Sequence, residues 1–178
     1  MKEFIQSDPG IYAVELYLRE IIQLEVGQLG VFTFPRGEYI YVGSAFGPGG
    51  LKARMGRHIG GEIDKVHWHI DYLSPFTKVR AFCYLPVCTT DVGKKSLREQ
   101  KLLECRWVNT IFTKFNPAIP APGFGASDCF SGCKAHLAAF PLYDKRLEFE
   151  SNLLAENSLQ DELARSVGVH RSTLRIEP

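Results

Sequence analysis

A chain of 178 residues with 45% hydrophobic and 23% charged side chains is long enough for one globular domain and too apolar for a disordered chain. Its net charge of +1 excludes a protein that gathers polyanions by overall charge, so a nucleic-acid site has to be a local basic patch. The opening MKEFIQSDPG places acids and a proline where a signal peptide needs an apolar core, and no apolar run reaches the length of a membrane span. With an odd number of cysteines (83, 88, 105, 129 and 133), these features lead us to expect a cytoplasmic protein with reduced thiols and no membrane partner.

In chain order, Asp8-Pro9-Gly10 is turn chemistry, and 10–18 (GIYAVELYL) reads as a strand. Residues 21–34 (IIQLEVGQLGVFTF) hold two apolar runs broken by Gly27 and Gly30, which reads as a hairpin. Pro35-Arg36-Gly37 turns the chain into a further strand at 38–43 (EYIYVG), so the first quarter is expected to be an antiparallel meander. FGPGG (46–50) is a loop, and LKARMGRHI (51–59) is a helix with Leu51, Met55 and Ile59 on one face. Arg54 and His58, four apart, share a neighbouring face, and Gly60-Gly61 stops the helix. The stretch 66–74 (VHWHIDYLS) fits a helical turn or a strand, the turn better, and 78–87 (KVRAFCYLPV) alternates as a strand.

The longest helical pattern is 94–115, with Leu97, Lys101, Glu104 and Val108 at helical spacing, ended by Asn116-Pro117. A proline- and glycine-rich loop at 117–134 leads to AHLAAF (135–140), which suits an edge strand. The predicted fold is α+β: a small antiparallel or mixed sheet flanked by helices over 1–141, followed by a charged helical tail over 142–178. In the tail, Ser158 starts a helix, and Ala164, Gly168, Val169 and Leu174 have helix-turn-helix spacing, which would put His170–Thr173 at the start of a recognition helix. Matches this short arise by chance, and the competing reading is a tail packed on the domain or on another protomer.

Tyr12, Tyr41, Arg54, His58 and Glu104 are the polar groups near strand ends and on helices that could carry chemistry together. Phosphodiester hydrolysis needs a proton acceptor for water, charge stabilisation on the phosphoryl oxygens and usually a divalent metal. Arginine suits the phosphate through its fork of donors, and a helical carboxylate is a common magnesium ligand. Taken singly, the tyrosines are ordinary strand aromatics and Arg54 and His58 a solvated helix face. Glu104 lies among Leu102, Leu103 and Trp107, where a carboxylate needs a partner.

The series GIY, then YVG, then Arg54 and His58, then Glu104 resembles the GIY-YIG nuclease superfamily. FPRGEYIYVGSA (34–45), HWHIDYL (67–73), Glu104-Cys105 and GFGASDC…HL (123–137) resemble its Uri-type branch, an uncharacterised GIY-YIG-like domain family. The resemblance covers roughly residues 9–140 and implies a metal-dependent endonuclease acting on nucleic acid, DNA rather than RNA. It implies that Tyr12 is the general base toward a metal-bound water, that Tyr41 orients the water or phosphate, and that Arg54 holds the scissile phosphate. His58 would assist as donor or proton shuttle, and Glu104 would bind one Mg2+ or Mn2+. Ser44 stands where that superfamily often has a lysine, and the loop before Arg54 is lengthened by FGPGG. Lys52 or Arg57 could replace the lysine, so Ser44, Lys52, Arg57, His67, His69 and Ser127 join the expected nucleic-acid contacts. The GFGAS turn is expected to aim backbone N–H groups at the phosphate.

Two alternatives stay open: a nucleic-acid-binding module that kept the fold and lost turnover, and a regulator that binds DNA through its tail. Cys129, Cys133 and His136 also have near-ligand spacing for a structural zinc, with His67 or His69 completing four. Against it, a buried cysteine is often no more than a small hydrophobe.

Overall fold

The turn at Asp8-Pro9 leads into β1 (Gly10–Leu18), which is buried along nearly its whole length. A strand apolar on both faces belongs in the middle of a covered sheet. A computed structural model of the protein, which describes residues 7–60, 65–87, 97–141 and 172–175, places it there. Strand β4 (Gly37–Ser44) pairs with one edge of β1 and β5 (Thr77–Pro86) with the other, both antiparallel. β6 (Leu137–Pro141) and β7 (Ser172–Arg175) complete an antiparallel sheet in the order β6-β4-β1-β5-β7.

The intervening strands β2 (Ile22–Glu25) and β3 (Val31–Phe34) form a separate two-stranded ribbon, so the expected meander is corrected. Their residues alternate between exposed and half-buried, with Phe34 the exception. That is too little apolar surface for a place inside the sheet, and β4 takes the position beside β1.

The two faces of the sheet are covered differently. On one, Val14, Leu16 and Phe82 pack against Leu51 and Met55 of α1 (Gly50–Gly60) and Ile70 and Leu73 of α2 (His69–Leu73). On the other, Ile11, Ala13, Val42 and Leu85 pack against Trp107, Val108 and Ile111 of α3 (Leu97–Phe115). Leu51 and Met55 are fully buried, each contributing about 1.5–3 kcal/mol. They fix the rotation of α1 and thereby the direction of Arg54 and His58. The ambiguous stretch 66–74 resolves as a helical turn, α2, continued by a 3-10 turn at Ser74–Phe76. α3 ends at Asn116, whose φ of 43° is left-handed, a conformation asparagine tolerates and from which Pro117 leads the chain away.

Of the tail, residues 142–171 and 176–178 lie outside the described residues, including the expected helix start at Ser158 and turn at Gly168. Ser172 and Thr173, read from sequence as part of a recognition helix, lie in β7, hydrogen-bonded along β5. Pairing there satisfies backbone groups of β5 that a helix would leave bare. Among the described residues no helix is long and apolar enough to cross a membrane.

Candidate active site

Tyr12 of β1 lies opposite Gly43 of β4, and Tyr41 of β4 lies opposite Val14. The two phenols are therefore diagonal neighbours on one face of the sheet, with ring centroids 6.4 Å apart. A Cβ on Gly43 would sit 2.7 Å from both Cζ and the hydroxyl oxygen of Tyr12. Glycine at this position is what lets the Tyr12 ring lie across β4.

His58 approaches from α1, its Nε2 3.0 Å from the Tyr12 hydroxyl. Burial lowers His58 from its ordinary 6.5 to about 4, the Asp71 charge opposing this and the arginine charges adding to it. The ring is neutral at neutral pH, and in its Nδ1–H tautomer Nε2 accepts the hydrogen bond that the Tyr12 hydroxyl donates. Burial also raises Tyr12 well above its ordinary value, partly offset by the charge of Arg54, and raises Tyr41 for the same reason. Both rest as phenols.

The two arginines of α1 differ in their partners. Arg57 is committed: Nε and Nη2 donate to the two oxygens of Asp71 at 3.1 and 2.7 Å. Asp71 also accepts the amides of His67 and Trp68 at 2.8 and 3.0 Å. Burial would raise the Asp71 carboxyl, and these bonds, led by Arg57, bring it below its ordinary 3.8 instead. Arg54 stacks on the Trp68 ring at 3.6 Å and makes no ion pair or hydrogen bond among the described residues.

From the other side of the sheet, α3 brings Glu104 to the start of β6. There His136 Nδ1 donates to its Oε1 at 3.0 Å, in a buried contact. Burial works to lower His136, but the hydrogen bond and charge of Glu104 raise it on balance. This is the partner that a carboxylate among apolar neighbours requires, and it leaves Oε2 without a hydrogen bond among the described residues. Lys101, one turn earlier, pairs with Asp128 of the following loop.

These groups enclose a cleft of about 120 Å³ lined by Tyr12, Tyr41, Ser44, Arg54, His58, Glu104, Lys101 and Asp128, with Arg57, Trp68 and Asp71 in its wall. The five residues expected to carry chemistry meet here, with Ser44 and Arg57. Lys52 and His67, both exposed, do not line the cleft, nor do His69 and Ser127. Lys52 does not line the cleft and Arg57 is held by Asp71; a further cation in the lining is Lys101. It was detectable in sequence, since position 101 shares a helix face with 104; Asp128, on an irregular loop, left no such signal.

The GFGAS turn differs from expectation. Its amides are engaged within the protein: Gly123 donates to the Lys134 carbonyl at 2.7 Å, Phe124 to Ala121 at 3.2 Å and Ala126 to Gly123 at 2.9 Å. Gly125 donates to His69 Nδ1 at 2.9 Å, and Ser127 Oγ lies 3.4 Å from His69 Nε2. His69 thus pins the loop. A short Gly/Pro-rich turn has to satisfy its own backbone once it is packed.

Behind Glu104, Cys105, Cys129, Cys133 and His136 form a cluster able to hold a metal, with one donor atom from each lying within 4.8 Å of the others. The fourth member is Cys105 of α3, not His67 or His69. Cys105 and Cys129 sulfurs are 3.5 Å apart.

A family model described as Domain of unknown function DUF123 matches residues 11–158, from within β1 to beyond the boundary expected at 141. No curated protein and no solved structure matches the chain significantly.

Proposed function

The chain belongs to the DUF123 family, and from that starting point we propose that it is a metal-dependent phosphodiesterase of GIY-YIG type that cleaves nucleic acid, DNA rather than RNA. The observation that carries this reading is the Arg54 guanidinium, without an ion pair or hydrogen bond among the described residues, beside the hydrogen-bonded Tyr12–His58 pair. A half-buried cationic fork with no ion pair or hydrogen bond among the described residues is a site for an anion of matching geometry, and a phosphate diester has it. Stacking on Trp68 holds the fork in orientation without occupying its donors.

Tyr12 receives the proton of the attacking water on its phenolic oxygen as its own proton passes to His58 Nε2. This relay suits a tyrosine that burial keeps protonated, because no free phenolate has to form. A phosphate held at Arg54 adds negative charge near His58 and raises its affinity for the transferred proton. The Tyr41 hydroxyl, without a hydrogen bond among the described residues, orients water or a phosphoryl oxygen. Lys101 and Asp128 stand at the rim, where the ion pair can open toward the backbone of a substrate.

The oxygen donors of this cleft fit a hard divalent ion: Glu104 Oε2 would hold Mg2+ or Mn2+, with water and phosphate supplying the remaining positions. Bound there, the ion would neutralise phosphoryl charge and acidify the attacking water.

The same cleft without turnover would be a backbone-binding module, a reading favoured by the strong burial of Tyr12. One experiment separates the two. The purified chain is incubated with single-stranded, duplex and branched DNA and with RNA, in magnesium, manganese or chelator. We expect metal-dependent cleavage that falls about 100-fold or more in Tyr12→Phe, Arg54→Ala and Glu104→Ala. Cleavage indifferent to these substitutions would overturn the site. Salt-sensitive binding that Arg54→Ala weakens, with no cleavage of any substrate, would leave the binding module.

A further inference from the structure

We propose that Cys105, Cys129, Cys133 and His136 bind a single zinc ion that ties α3 to the loop before β6 and holds Glu104 in place through His136. Three of the donors come from the irregular segment after α3, and the fourth, Cys105, comes from α3 itself beside Glu104. A tetrahedral zinc with sulfur ligands at about 2.3 Å places those sulfurs about 3.8 Å from one another. The donors lie within 4.8 Å of one another and two of the sulfurs are 3.5 Å apart, so the cluster already has that size. Sulfur contact at 3.5 Å is far outside the length of a disulfide, about 2.05 Å.

The second observation is independent of the cysteines. His136 is 4% exposed, its Nδ1 is engaged by Glu104, and its Nε2 is buried with no hydrogen-bond partner among the described residues. A buried imidazole nitrogen left bare is disfavoured, and zinc coordination satisfies it. Zinc-bound histidines commonly donate their other nitrogen to a carboxylate, which fixes the ring and is in turn fixed by it. The contact between His136 Nδ1 and Glu104 Oε1 has that arrangement.

Thiolate and imidazole donors select zinc, while the carboxylate side of Glu104 faces the cleft and hard cations. The zinc proposal does not depend on the phosphodiesterase reading.

The full chain, purified without chelator, should carry zinc at one equivalent by elemental mass spectrometry. After zinc removal, cobalt(II) should restore one equivalent with thiolate-to-metal charge-transfer bands and the intense visible bands of a tetrahedral site. Cys129→Ser and Cys133→Ser should abolish these bands, whereas Cys83→Ser, outside the cluster, should keep them. Glu104→Gln should retain the bands but weaken zinc affinity about 10- to 100-fold. Absence of both stoichiometric zinc and thiolate–cobalt bands in the wild-type chain would overturn the proposal, as would bands that survive loss of Cys129 and Cys133. The wild-type spectrum decides even where a serine variant fails to fold. An unchanged affinity in Glu104→Gln would overturn the coupling to the cleft. Every readout is taken without nucleic acid, so failure of the zinc site and failure of the cleavage reading are seen separately.

Discussion

The contact between Tyr12 and Gly43 is the tightest constraint on the cleft, because the phenol occupies the space where any other residue would carry its Cβ. Gly43→Ala would force the ring off β4, away from His58. Overpacking of this kind costs about 1–3 kcal/mol, which urea unfolding should register as a lower midpoint with an unchanged slope. The substitution should also lower cleavage without removing any catalytic group. Wild-type stability in Gly43→Ala would mean that the ring has another place to go. The same contact gives the second glycine of the paired motifs a physical meaning: it is the floor under the phenol.

At the scale of elements, α1 and α2 are joined by Arg57 and Asp71, a pair whose carboxylate is almost wholly buried. Asp71→Asn removes the charge but keeps the shape, and the loss of charge-assisted hydrogen bonds should destabilise the fold by about 1–3 kcal/mol. Because the Asp71 carboxyl is held below 3.8 in the fold, its contribution is present above about pH 4 and is lost as pH falls through the folded value. The gap between wild type and Asp71→Asn in thermal unfolding should therefore narrow below pH 4. This pair also explains what the sequence could tell. The helix carrying Arg54, Arg57 and His58 was legible from Leu51, Met55 and Ile59, and so was the face shared by Arg54 and His58. Which arginine is ion-paired was not, because that depends on Asp71, a contact between elements with no local signature. Likewise the strands from 22 to 34 were legible by their apolar runs, but their departure from the sheet was decided by how little surface they bury. Cys105 was hidden as a member of the candidate metal cluster because its partners lie more than twenty residues downstream, across an irregular loop.

For the molecule as a whole, His58 links the cleft to stability. Its value falls from 6.5 to about 4 on folding, so between those pH values the unfolded chain binds a proton that the native protein does not. Stability should rise with pH across that window and gain nothing further from this group above it, a contribution of at most about 3 kcal/mol. Urea midpoints measured from pH 4 to 7 should show a shallower slope in His58→Gln than in the wild type. Taking the difference between the two curves separates His58 from His69, which burial also lowers. The sheet has one further consequence, through the chain's two tryptophans. Trp68, 39% exposed, carries the Arg54 guanidinium on its ring, while Trp107 is 2% exposed beneath the opposite face. Their fluorescence reports on separate events: Trp68 emission follows whatever draws Arg54 off its indole, and Trp107 emission holds steady until α3 parts from the sheet.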